Sequence, residues 1–125
     1  MTEEQYHAVW HLLGVGDYRE AHHGDCIGAD ATFHSIARAL EIPVVLHPPD
    51  DDRKRAHSVG VIHSRTPAPY LVRNRNIVQE SDVLIATPGK PYSELRSGTW
   101  ATIRAAQRAG VPVDVVWPSG DIDRL

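Results

Sequence analysis

The chain has 125 residues, room for one domain with a hydrophobic core and too little for two. Its formal net charge of -3 argues against the basic stripe with which nucleic-acid binders collect phosphates. The lone cysteine, Cys26, excludes an intrachain disulfide and fits a reducing compartment. No apolar stretch reaches membrane-spanning length and no secretory signal opens the chain, so a cytoplasmic location without membrane contact is expected.

The first residues, Thr2 to Gln5, match a capping box, and Tyr6, Val9, Trp10 and Leu13 follow at helical spacing. Residues 3–13 are predicted as an amphipathic helix ended by Gly14 and Gly16. Residues 20–24 form a poor strand on propensity. Phe33, Ile36, Ala37 and Leu40 make the apolar stripe of a helix over about 29–40, and Pro43 opens a strand over 44–47. Residues 48–69 are rich in proline and charge without sustained periodicity, which in a small domain marks a functional lid or a disordered loop. Within them Arg53, Lys54 and Arg55 directly follow three aspartates, so their charge largely cancels. A helix is predicted from about Tyr70 to Glu80, a strand over 82–87, a loop over 90–97, a helix over 99–109 stopped by Gly110, and a last strand from Val113 to Trp117. Apolar strands alternating with single helices predict an α/β fold with a parallel sheet covered on both faces.

Three segments can carry chemistry. The loop Gly24-Asp25-Cys26-Ile27-Gly28-Ala29-Asp30 joins a strand to a helix, and its glycines allow close backbone approach. Bare amides and the helix dipole favour a phosphate there. The plainer alternative is a tight turn with Asp30 in the first turn of the helix. Ser97, Gly98 and Thr99 stand before the last long helix, where their amides and hydroxyls suit an anion or, equally, form a simple N-cap. Arg73, Asn74 and Arg75 offer a guanidinium fork for phosphate and an amide for base or ribose; the alternative is a solvated helix face. All three segments sit at helix starts or on a helix preceding a strand, and doubly wound sheets place their ligand crevice beyond the carboxyl ends of the strands.

No metal site is expected from the eight histidines. His22 and His23 point to opposite faces of a strand, and no paired ligand motif exists. Cys26 could act as a nucleophile only beside an oriented base.

The series HHGDCIGADATFHSIARAL, IPVVLHP, RNRNIV, SDVLIATP, SGTWATIRAAQRAG and VPVDVVWP resembles the SLOG superfamily of Rossmann-like domains, over nearly all the chain from about residue 20. That superfamily includes the DNA-processing protein A family, the molybdenum-cofactor carrier-like proteins and the cytokinin-activating phosphoribohydrolases. The resemblance implies one domain over 1–125 with a three-layer Rossmann-like parallel sheet. It makes Gly24 to Asp30 the first ligand loop, with Gly24, Asp25, Gly28, Ala29 and Asp30 as contacts. Arg73, Asn74 and Arg75 match the arginine-asparagine pattern facing the pocket. Pro88, Ser97, Gly98 and Thr99 match the second loop, where a phosphate sits on a helix start. A homodimer is expected on the same ground, and no cofactor.

Two departures stand out. Phosphoribohydrolase members carry a glutamate where this chain has Thr102, which argues against hydrolysis of that type; Asp25 or Asp30 could substitute for the carboxylate, though nothing in the spacing requires it. Members also open with an apolar central strand, whereas this chain opens with a helix. Either the chain is shortened or the flanking strands close the gap. A gap would leave backbone polar groups unpaired, so residues 20–24 are expected to pair directly with 82–87, or another chain to fill the slot. The expected function is binding of a nucleotide or nucleotide-derived phosphorylated ligand, as a sensor, carrier or sequestering module. The alternatives are phosphoribohydrolysis of nucleoside monophosphates and, against the charge, binding of single-stranded nucleic acid.

Overall fold

The computed structural model describes residues 1–125 as a mixed α/β fold of four helices and two three-stranded sheets. Helix α1 spans Glu3–Val15 and opens with the expected capping box. The Gln5 amide donates to Thr2 Oγ1 at 3.0 Å, and the Thr2 amide donates to Gln5 Oε1 at 2.8 Å. Strand β1, Ala21–His23, leads into α2, Ala29–Ala39, and β2, Val44–Leu46, follows. After α3, Tyr70–Gln79, come β4, Leu84–Ala86, α4, Gly98–Ala109, and β5, Val113–Val116.

Two short strands lack any apolar signal in the sequence. β3, His63–Ser64, pairs parallel with β2, and β6, Ile122–Arg124, pairs antiparallel with β5. Both are exposed edge strands, so pairing and not burial defines them. The order is β1-β2-β3 in one sheet and β4-β5-β6 in the other. The direct pairing expected between residues 20–24 and 82–87 is therefore overturned: β1 pairs only with β2, and β4 only with β5. One edge of each strand is left unpaired.

Segment 48–69 is no free lid. A 3-10 turn at Asp52–Lys54 and bridges Cys26–Arg55 and Pro49–Ala68 pin it. His34 Nε2 donates to the Val59 carbonyl at 2.7 Å and holds it further.

Each half of the fold has its own apolar cluster. Val9, Leu13, Ile36, Val44 and Leu46 pack with Val116, while Val78, Trp100, Ile103, Val113 and Val115 make the second. Helix α1 ties the halves together. It packs on both α2 and β5, and the buried Gln5 Nε2 donates to the carbonyls of Pro88 (2.8 Å) and Val116 (2.9 Å). No helix is long and apolar enough to cross a membrane.

Candidate functional site

The starts of α2 and α4 line one recess of about 300 Å³, together with the middle of α3 and the carboxyl end of β4. Its wall includes Gly24, Ala29 and Asp30 from the first loop, Arg73 and Asn74 from α3, and Gly98 and Thr99 from α4. Helix geometry leaves the first-turn amides without intrahelical acceptors. At α2 the first amide bonded back into the turn is that of Thr32, which donates to the Gly28 carbonyl at 3.1 Å. Gly28 takes φ 104°, a conformation open to glycine and strained for other residues. The helix dipoles add partial positive charge at both starts.

Arg73 crosses from α3 to the loop after β1. Its Nη1 donates to the Gly24 carbonyl at 2.9 Å, its guanidinium contacts Cys26 Sγ at 3.6 Å, and it stands 5.2 Å from the centroid of the Tyr70 ring. Its side chain is buried, and Nε has no hydrogen-bond partner. Asn74 Nδ2 is likewise buried and without a partner. Polar groups of this kind are rare in folded proteins and demand an explanation. Asp30 Oδ2 accepts from the Cys26 amide at 3.1 Å, and burial pushes its carboxyl above the ordinary aspartate range, against the pull of that amide and of Arg73. A carboxyl held toward its neutral form repels an anion less than an ionised one.

The other expected contacts stand elsewhere. Asp25 is wholly buried but lies outside the recess: it accepts from Arg55 Nε and the Ser58 amide, both at 2.9 Å. Burial alone would raise its carboxyl; the Ser58 amide and the Arg55 guanidinium outweigh that and hold it below the ordinary range. Its role is to fasten segment 55–58, so it is no catalytic candidate. Arg75 is exposed and outside the recess, because α3 turns only residues 73, 74, 77 and 78 inward. Ser97 is the N-cap of α4, with its hydroxyl accepting from the Trp100 amide at 3.4 Å. The Pro88 carbonyl is taken by Gln5, and neither Pro88 nor Gly28 lines the recess.

Tyr70 and Thr102 also line the recess, although neither belongs to the glycine-rich loops or the arginine-asparagine triplet. Tyr70 stands three residues before Arg73, the spacing at which helical side chains meet, so the pair was open to discovery. A Cβ at Gly98 would meet the Tyr70 hydroxyl, so a larger residue there requires the exposed Tyr70 ring to shift. Thr102 Oγ1 donates to the Gly98 carbonyl at 3.2 Å. Asp30 is the single carboxylate residue in the lining.

The adjacent histidines do point to opposite faces. The Asp25 amide donates to His23 Nδ1 at 3.0 Å, so His23 Nε2 carries the proton and donates to His34 Nδ1 at 2.9 Å. Burial, with His34 next, pushes His23 down to about 4. On the other face His22 Nδ1 and His47 Nε2 lie 2.9 Å apart, and His22 Nε2 meets Glu20 Oε1 at 3.0 Å. Burial pushes His47 also down to about 4, although Glu80 opposes it. Cys26 has the Arg73 guanidinium beside it and no histidine among its hydrogen-bond partners.

Comparison with protein-family models, with curated proteins and with solved structures finds no match to this chain.

Proposed function

We propose that the recess between α2 and α4 binds the phosphate of a nucleotide or nucleotide-derived ligand, and that the protein works as a sensor, carrier or sequestering module. One observation carries this reading. Two helix starts, from different halves of the fold, line the same recess as Arg73 and Asn74, two residues whose buried Nε and Nδ2 have no partner within the chain. An anion there meets bare amides and a guanidinium, while Asn74 offers a donor to a ribose or base. The resemblance to the SLOG superfamily and its three-layer Rossmann-like arrangement belongs to the same proposal.

The test is a thermal-shift and calorimetric titration with AMP, GMP and ADP-ribose, using adenosine as the phosphate-free control. Stabilisation by a phosphorylated compound and none by adenosine is the expected result. No shift with any of the phosphorylated compounds would overturn the reading.

A second reading, phosphoribohydrolysis, is favoured only by the Asp30 carboxyl in the recess, since glycosidic cleavage needs a carboxylate near the sugar carbon. Release of free base from AMP, lost in Asp30→Asn, would establish it.

A further inference from the structure

We propose that His22, His47 and Glu80 form a zinc site, with a fourth coordination place open to a recess of about 550 Å³ that His22 and Glu80 both line. The fold gathers the three from separate elements. His22 lies on β1 opposite Val45, and the ladder runs on to His47, whose amide donates to the His23 carbonyl at 2.9 Å. Side chains two apart on a strand share a face, so His47 stands beside His22 and away from His23. Glu80 is the C-cap of α3 and reaches the same spot from the helix end, whose partial negative charge favours a cation.

One donor atom from each residue lies within 4.8 Å of the other two. His22 Nδ1 and His47 Nε2 are 2.9 Å apart, and His47 Nε2 is 3.7 Å from Glu80 Oε2. Ligands of a tetrahedral zinc ion stand about 3.3 Å from one another, between those two separations. Two of the ligands are already oriented by neighbours. His22 Nε2 donates to Glu20 Oε1 at 3.0 Å, which leaves the Nδ1 lone pair toward His47. Arg65 Nε donates to Glu80 Oε1 at 3.1 Å and leaves Oε2 to the histidines. A carboxylate behind a histidine and a hydrogen-bonded carboxylate ligand are the supports that metal sites use. Without an ion, His47 Nε2 donates its proton to His22 Nδ1 and Glu80 Oε2 takes no part; an ion engages all three.

The donor set selects the ion. Two imidazole nitrogens and one carboxylate oxygen suit zinc, whereas calcium and magnesium take oxygen ligands. The Arg65 cation stands nearby, and the second carboxylate, Glu20, offsets it. Three protein ligands leave one tetrahedral place, which water or a donor atom of a molecule in the recess fills. The site is separate from the helix starts, Arg73 and Asn74, so it stands whether or not the phosphate reading does.

The full chain, freed of metal with a chelator, is titrated at neutral pH with zinc by calorimetry and with cobalt by visible absorption. One ion per chain and the strong cobalt bands of a tetrahedral site are expected. His22→Gln and His47→Gln should each weaken binding at least about a hundredfold, and Glu20→Gln about tenfold. Glu80→Gln changes a partly exposed helix end, so it tests the site even where a buried histidine variant fails to fold. It should weaken binding as the histidine variants do. His7→Gln, which removes the exposed Glu3–His7 pair on α1, should leave binding unchanged. Azide should shift the cobalt bands by entering the open place. No stoichiometric binding, full affinity in Glu80→Gln, or loss of binding in His7→Gln would overturn the site. The weak bands of six-coordinate cobalt would overturn zinc as its ion, and bands unmoved by azide would overturn the open place.

Discussion

Arg73 and Gly24 are 49 positions apart in the chain, yet the guanidinium of one donates to the carbonyl of the other at 2.9 Å. The contact exists because Gly24 has no side chain: a Cβ there would overlap Nη1 and crowd the Asp30 carboxylate. Gly24→Ala is therefore expected to drive Arg73 out of its place. Chemical denaturation should show a loss of about 1–3 kcal/mol from the overpacking, together with loss of the AMP or ADP-ribose shift. Gly14→Ala is the contrast. Nothing lies within 4 Å of a Cβ at that position in α1, so the change should stabilise by about 0.5–1 kcal/mol and leave ligand shifts alone.

Asn74→Leu separates stability from binding. The unpartnered Nδ2 is a buried donor without an acceptor, and a buried polar group left unmatched costs about 1–3 kcal/mol. Replacing it with an apolar side chain of similar size should leave the ligand-free Tm unchanged or raise it. The nucleotide-induced shift should fall or vanish. A fall in the ligand-free Tm with an intact shift would contradict the placement.

Gln5 joins α1 to the second half of the fold through two buried carbonyls. Gln5→Ala leaves the carbonyls of Pro88 and Val116 without their donor and removes the capping box. A loss of about 2–4 kcal/mol in urea denaturation is expected. Gln5→Glu should be at least as harmful, because it sets a carboxylate against two carbonyl oxygens.

Stability should fall on mild acidification. His23 and His47 are held at about 4 in the folded protein, below the ordinary 6.5, chiefly by burial. The unfolded chain then binds more protons, so their stability contribution is complete above pH 6.5 and is lost as pH falls toward 4. Two such groups give a slope of up to about 2.7 kcal/mol per pH unit within that window. The raised carboxyl of Asp30 works in the opposite direction and softens the loss. Urea midpoints at pH 7 and pH 5 check the sign, and His47→Gln should remove roughly half of the slope.

Much of the local structure was determined by the sequence alone. The capping box at Thr2 and Gln5, the apolar stripe from Phe33 to Leu40, and the run through Leu84 and Ile85 each lie within a few residues of one another. Periodicity and caps therefore place α1, α2 and β4 without any tertiary partner. The opposite facing of His22 and His23 follows equally from strand alternation. Only the tertiary structure decided that Asp25 fastens Arg55 and Ser58 instead of entering the recess, that Arg73 is turned inward and Arg75 outward, and that β1 and β4 leave a gap between them. Each of these depends on a neighbour thirty or more positions away or on the rotation of a helix about its axis, and spacing along the chain carries neither. The weak strands β3 and β6 were hidden for the same reason: their hydrogen bonds, and not their side chains, make them strands.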